Sequence, residues 1–113
     1  MSKQKIENYI PKAMKVISYL EIEKEGKVAK QFNGYIASFG ASIRQAGLLP
    51  TILFYGNANS NAEKEREKVV KAIEEIIGYS IQDNVSKEST RLDVESAAIA
   101  LKLSIRTFEL VKD

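Results

Sequence analysis

The sequence predicts an all-α protein, a compact bundle of four longer helices and one short helix. Three observations carry that expectation. Apolar residues recur at spacings of three and four along most of the chain, the pattern of a helix with one buried face. The segment richest in β-branched and aromatic residues has no second segment to pair with as a strand. At 113 residues, 44% apolar and 28% charged, the chain has the length and composition of one folded domain, expected to span 1–113.

The first stripe is Ile6, Ile10, Ala13, Met14, Ile17 and Leu20, with Lys12, Lys15 and Ser18 on the opposite side. Pro11 interrupts it. Because proline lacks an N–H and suits a first helical turn, the helix is expected to begin near Asn8 to Pro11. Residues 1–10 then form an extended arm; a continuous but kinked helix from Lys3 is the alternative. Gly26, costly inside a helix, marks the turn that follows.

From Lys27 a second stripe runs through Ala29, Phe32, Ile36, Phe39, Ile43 and Ala46, spaced 3, 4, 3, 4, 3. So short a heptad run favours packing into the domain's own core over a coiled-coil partner. Gly34 and Gly40 lie beside the stripe, where small residues let another helix approach. Gly47 suits the end of this helix, since glycine adopts positive φ without steric penalty. The segment Pro50 to Tyr55 has a strand-like composition, yet Pro50 equally suits the first turn of a short buried helix. With no partner strand elsewhere, a short helix is expected.

Gly56 to Asn61 is polar and turn-prone, and Ser60-Asn61-Ala62-Glu63 has capping-box spacing. The next helix therefore starts there. Glu63, Glu65 and Glu67 favour its dipole, Val69, Ile73, Ile76 and Ile77 form its buried side, and Gly78 ends it. Tyr79 to Ser89 has no strong period. A last helix restarts at Thr90 to Asp93, with Val94, Ala98, Leu101, Ile105 and Phe108 on one row and Ile99, Leu103 and Leu110 on a second. Such a helix is either central in the bundle or covered by a partner.

With no cysteine and no histidine, disulfides, thiolate metal sites, thiol nucleophiles and triad hydrolases are excluded. No Walker loop, dinucleotide fingerprint or zinc spacing occurs, and neighbouring acids such as Glu63/Glu67 and Glu74/Glu75 read as solvated helix faces. No cofactor is expected. The longest mostly apolar stretch, Ala46 to Tyr55, is about half the ~20 residues of a membrane span, and the first ten residues hold no apolar signal core. A cytoplasmic protein is the expectation.

The net charge of +2 is unevenly placed. Residues 1–50 carry eight bases and four acids, a net +4, and the remainder is −2. Lys27 and Lys30 stand at i, i+3, and Lys102 and Arg106 at i, i+4 on the last helix. Cations on one surface can hold a nucleic-acid backbone, although surface lysines also serve simply as solubilisers. The residues alone thus describe a small helical binding or assembly module rather than an enzyme. The junction Gly47-Leu48-Leu49 is apolar for an exposed turn and is a candidate interface.

From Phe39 through Ile43-Arg44-Gln45-Ala46-Gly47-Leu48-Leu49-Pro50 to Phe54-Tyr55 the sequence resembles the small subunit of the type III-B CRISPR effector, the Cmr complex. The agreement extends to Ile10-Pro11-x-Ala13 and to Ala97-x-x-x-Leu101-Lys102-Leu103-x-x-Arg106-x-Phe108. These motifs are packing signatures. One departure is that many members carry a Trp where this chain has Leu103 or Ser104, which puts the contact made there in doubt. The resemblance implies an all-helical, non-catalytic subunit whose copies stack as a minor filament. That filament lies beside the guide RNA, the backbone subunits and the large subunit, and lines the channel holding target RNA. Arg44, Lys102 and Arg106 fall on family positions and become candidate RNA contacts, whereas Lys27 and Lys30 rest on the charge map. The alternatives are the small helical subunit of a related CRISPR effector and a helical DNA-binding regulator. Against the latter, the last helix opens with Leu92-Asp93-Val94-Glu95, acids that repel DNA.

Overall fold

The computed structural model describes residues 3–56 and 64–112. Five α-helices dominate: α1 (Lys3–Tyr19), α2 (Lys30–Ala46), α3 (Leu48–Tyr55), α4 (Lys64–Ile77) and α5 (Glu88–Ile105). A 3-10 turn at Gln82–Asn84 precedes α5. Three very short strands, β1 (Glu23–Lys24), β2 (Lys27–Ala29) and β3 (Glu109–Val111), complete the chain. The all-α expectation is met in substance, with a small sheet added.

The extended-arm reading of residues 1–10 is corrected from Lys3 onward: α1 is continuous through Pro11. Losing one helical hydrogen bond and crowding the preceding turn costs roughly 3 kcal/mol in an isolated helix. Here Ile6, Tyr9 and Ile10 pack against the core, and Lys5 pairs with Asp93 of α5. Ala13, Val16 and Ile17, beyond the proline, are buried. Tertiary packing therefore holds the helix on either side of the break.

The sheet corrects a second expectation, that helix begins at Lys27. Glu25 (φ 54°) and Gly26 (φ 79°) turn the chain back, so β1 pairs antiparallel with β2 in the register Glu23↔Val28 and Lys24↔Lys27. After α5, β3 returns to pair parallel with β2, placing Lys27 opposite Glu109 and Val28 opposite Leu110. Two- and three-residue strands are too short to show an alternating pattern, and the β2–β3 pairing joins segments some eighty residues apart. Val28, fully buried, ties the sheet to the core.

The stripe on α2 matches the structure: Phe32, Ile36, Phe39 and Ile43 are buried. Gly47 (φ 98°) separates α2 from α3, and its N–H still bonds the carbonyl of Ile43. The short helix starts at Leu48, two residues before Pro50, which falls within the first turn where its missing N–H costs no helical bond. α3 folds back on α2. The buried Thr51 hydroxyl bonds the Gly47 carbonyl at 2.9 Å and Ser42 Oγ at 2.6 Å, Tyr55 OH donates to the Tyr35 carbonyl at 3.1 Å, and the Phe39 and Tyr55 rings meet edge to face at 5.1 Å.

On α4, Val69, Ile73 and Ile76 are buried as the spacing predicts, and Gly78 (φ 86°) ends the helix. The capping box at Ser60 to Glu63 lies outside the described residues. α5 begins at Glu88 rather than at Thr90, and Lys87 at its N-cap makes no side-chain capping bond. The Thr90–Asp93 spacing is therefore not a cap: Thr90 is buried, and Asp93 serves another element. α5 is the central helix, packing on α1, α2 and α4. Its links Lys5–Asp93 and Thr107–Met14 show that α1 runs parallel to it. Buried side chains from all five helices form one hydrophobic cluster.

Candidate nucleic-acid interface

α2 and α5 pack with small residues between them. Ala37 and Gly40 on α2 and Ala98 on α5 leave a shallow groove rather than a filled seam. Arg44, one helical turn beyond Gly40, lays its guanidinium over that glycine, where a Cβ would stand 3.7 Å from Nη1. Lys102 enters the same groove from α5. Two of the expected cations, 58 positions apart, thus share one surface. Glu95 lines it as well and accepts a hydrogen bond from Arg91 Nε at 2.9 Å. In sequence Glu95 is one of the acids that open the last helix, and nothing there places it beside Arg44 and Lys102.

Arg106, exposed at the C-cap of α5, follows Lys102 by four positions and so continues its face. The paired-face expectation for Lys27 and Lys30 is corrected: Lys27 belongs to β2, opposite Glu109, and Lys30 opens α2. Both are exposed, but no shared helix carries them. At the candidate interface Gly47-Leu48-Leu49, Leu48 is buried in the core while Leu49 is 43% exposed. The apolar surplus of that junction is therefore partly an internal anchor.

Two further clusters have no periodic signal in the sequence. Tyr35, Phe54 and Arg66 come together from α2, α3 and α4, with the guanidinium 5.2 Å from the centroid of each ring. In the second cluster the Asp93 carboxylate accepts from Lys5 Nζ and from Tyr79 OH, the latter at 2.5 Å. Burial works to raise the Asp93 pKa, but the hydrogen bonds from Lys5 and Tyr79 outweigh it and hold the carboxyl below its ordinary range. Burial, followed by the bond to Asp93, pushes the Tyr79 phenol up to about 12. The bond to Asp93 also raises the Lys5 pKa.

Among the described residues no group of three or more Asp or Glu side chains is placed to hold a metal ion, and no helix is long and apolar enough to cross a membrane. Glu74, one of the neighbouring acids, spends an oxygen on the backbone N–H of Ile81 at 2.8 Å, bracing the turn after α4.

No curated protein and no solved structure matches the chain. A family model described as CRISPR-associated protein (Cas_Cmr5) matches residues 6–107, from the first turn of α1 to just past α5. The match covers every helix, including the α2–α3 junction and the two helices that form the groove. The chain therefore belongs to the Cmr5 family of CRISPR-associated proteins, the small subunits of type III-B Cmr complexes, and that membership implies assembly within a Cmr effector.

Proposed function

We propose that this chain is a non-catalytic subunit of a cytoplasmic antiviral effector, whose stacked copies form a minor filament that helps hold guide and target RNA. The observation that carries the RNA-holding part is the convergence of Arg44 and Lys102 in the α2–α5 groove, with Arg106 continuing the same face. Phosphate contacts need cations on one surface, and each neutralised phosphate releases counterions. Isolated copies bind single-stranded RNA weakly because each offers few cations, one of them offset by Glu95. Stacking copies beside the backbone and large subunits aligns the clusters and raises their effective concentration. Leu49, with Gly47 and Leu48 behind it, is part of the surface a neighbouring copy covers.

The test is the triple reversal Arg44→Glu, Lys102→Glu and Arg106→Glu in an assembled complex. Target-RNA retention should fall, and the slope of log affinity against log salt should flatten by roughly 0.7 for each phosphate that is no longer neutralised. Circular dichroism should show the fold intact, because Arg44 and Arg106 are exposed and Lys102 is only half-buried. Unchanged affinity and slope would mean that these cations only solvate the surface. Reversing Lys27 and Lys30 separately measures any share from the sheet end. Purified alone, with or without divalent metal, the protein should turn over no RNA or nucleotide. An activity that survives purification and is lost on Glu74→Gln would refute the non-catalytic reading.

A further inference from the structure

The α2–α5 groove contains an acid that a plain phosphate site has no use for. Glu95 lines it together with Arg44 and Lys102, among the small residues Ala37, Gly40 and Ala98. Its carboxylate pairs with neither cation: the partner is Arg91, whose Nε donates to Oε1 at 2.9 Å. Among the described residues the second oxygen, Oε2, accepts no hydrogen bond, and neither Arg44 nor Lys102 makes an ion pair. The Glu95 side chain is 19% exposed, largely withdrawn from water, and a shielded acceptor left without a donor costs free energy. Phosphates alone would set like charge against it. A ligand that suits all three side chains carries anions for the two cations and a neutral hydroxyl donor for the acid. The ribose–phosphate backbone has that alternation, with a 2′-hydroxyl on every sugar between successive phosphates, whereas deoxyribose has no donor there. Small side chains at 37, 40 and 98 let a sugar come close to both helices.

We infer that Glu95 is the specificity-determining residue of the groove: its carboxylate accepts a hydrogen bond from a ribose 2′-hydroxyl while Arg44 and Lys102 hold phosphates of the same strand, so that the groove selects RNA over DNA. The inference rests on the groove reading above and deepens it. Cations neutralise the phosphates of either nucleic acid, so discrimination has to come from the third side chain. With RNA the carboxylate gains a donor. With DNA it keeps its charge beside the phosphates and gains nothing in return. Arg91, by holding Oε1, keeps the carboxylate from closing onto Arg44 or Lys102 and leaves both cations for the backbone.

The experiment uses the assembled Cmr complex with guide RNA and a set of target RNAs, each carrying a single 2′-deoxy or 2′-fluoro nucleotide at a different position. Both substitutions remove the hydroxyl donor, and the fluoro sugar keeps an RNA-like shape. The quantity read is the affinity for all-ribose target divided by that for substituted target. Comparing this ratio between wild type and Glu95 variants cancels any effect of the substitution on pairing with the guide. Wild type should lose about three- to tenfold at the positions that meet the groove, with either substitution. Glu95→Ala, mid-helix and with the best helix former in place, should bind ribose and substituted targets alike at those positions. Glu95→Gln keeps an acceptor without the charge, so it should retain part of the discrimination while binding every target more tightly. A wild-type complex indifferent to every substitution, a ratio that Glu95→Ala leaves unchanged, or a loss seen with 2′-deoxy but not with 2′-fluoro each overturns the inference. None of these results touches the groove reading, which falls only if the triple reversal leaves RNA retention unchanged, and in that case the role of Glu95 falls with it.

Discussion

The Asp93 cluster permits a worked prediction, because one carboxylate joins α1, the turn after α4 and α5. Asp93→Asn keeps the size of the side chain and removes the charge on which both bonds depend. Hydrogen bonds to a charged group contribute about 1.5–3 kcal/mol when shielded. The Lys5 side chain is 34% exposed, so its share falls towards the ~0.5–1 kcal/mol of a surface pair, whereas the Asp93 side chain, 16% exposed, keeps most of the Tyr79 bond. The expected loss is about 2 kcal/mol at pH 7. For 113 residues an unfolding entropy of roughly 2.1 cal/mol/K per residue converts this to a fall in Tm of about 8 °C.

The pH dependence follows from the direction of each shift. Asp93 has a lowered pKa, so its stabilisation is complete above its unfolded value near 4 and is lost as pH falls through the lower folded value. Tyr79 and Lys5 have raised values, so their contributions are present below their unfolded pKa values. The Tyr79 contribution is lost as pH rises through about 12. Urea unfolding of wild type and Asp93→Asn should therefore differ most between about pH 5 and 9 and converge in acid. A double-mutant cycle with Tyr79→Phe should show coupling of about 1 kcal/mol. A loss below about 0.5 kcal/mol at pH 7, or a difference that persists into acid, would refute the electrostatic account and reduce Asp93 to a spacer.

Other positions give simpler outcomes. Phe39→Ala, at a fully buried ring packed edge to face on Tyr55, should cost about 3–5 kcal/mol by urea denaturation. Gly34→Ala, inside α2 with nothing within 4 Å of an added Cβ, should stabilise by about 0.4–1 kcal/mol, while Gly47→Ala at φ 98° should destabilise; equal effects at the two sites would contradict the backbone argument. Ser96→Ala should be neutral or stabilising in thermal melts. The Ser96 hydroxyl is buried and makes no hydrogen bond, so removing it relieves a desolvation cost of about 1–3 kcal/mol.

The sequence by itself determined what is local. Three-and-four spacing marked α2, α4 and α5 because a helix's buried face is written in the identities of neighbours a turn apart, and burial is what selects them. Gly47 and Gly78 marked ends because positive φ restricts the residue type at a single position. The absence of histidine and cysteine bounded the chemistry before any geometry. Tertiary structure decided whatever depends on meetings between distant segments. Pro11 was read as a boundary because an isolated helix breaks there, and only packing on both sides of it keeps α1 whole. Thr90 and Asp93 matched a cap by spacing, yet the carboxylate is drawn to Lys5 and Tyr79, whose hydrogen bonds outweigh its burial. Lys27 left the helix for a strand because β3, at the far end of the chain, supplies its neighbour. In the candidate groove each cation was legible alone. That Arg44 meets Lys102, and that Glu95 joins them, follows from how α2 lies on α5, an arrangement set by side-chain packing that no one-dimensional period records.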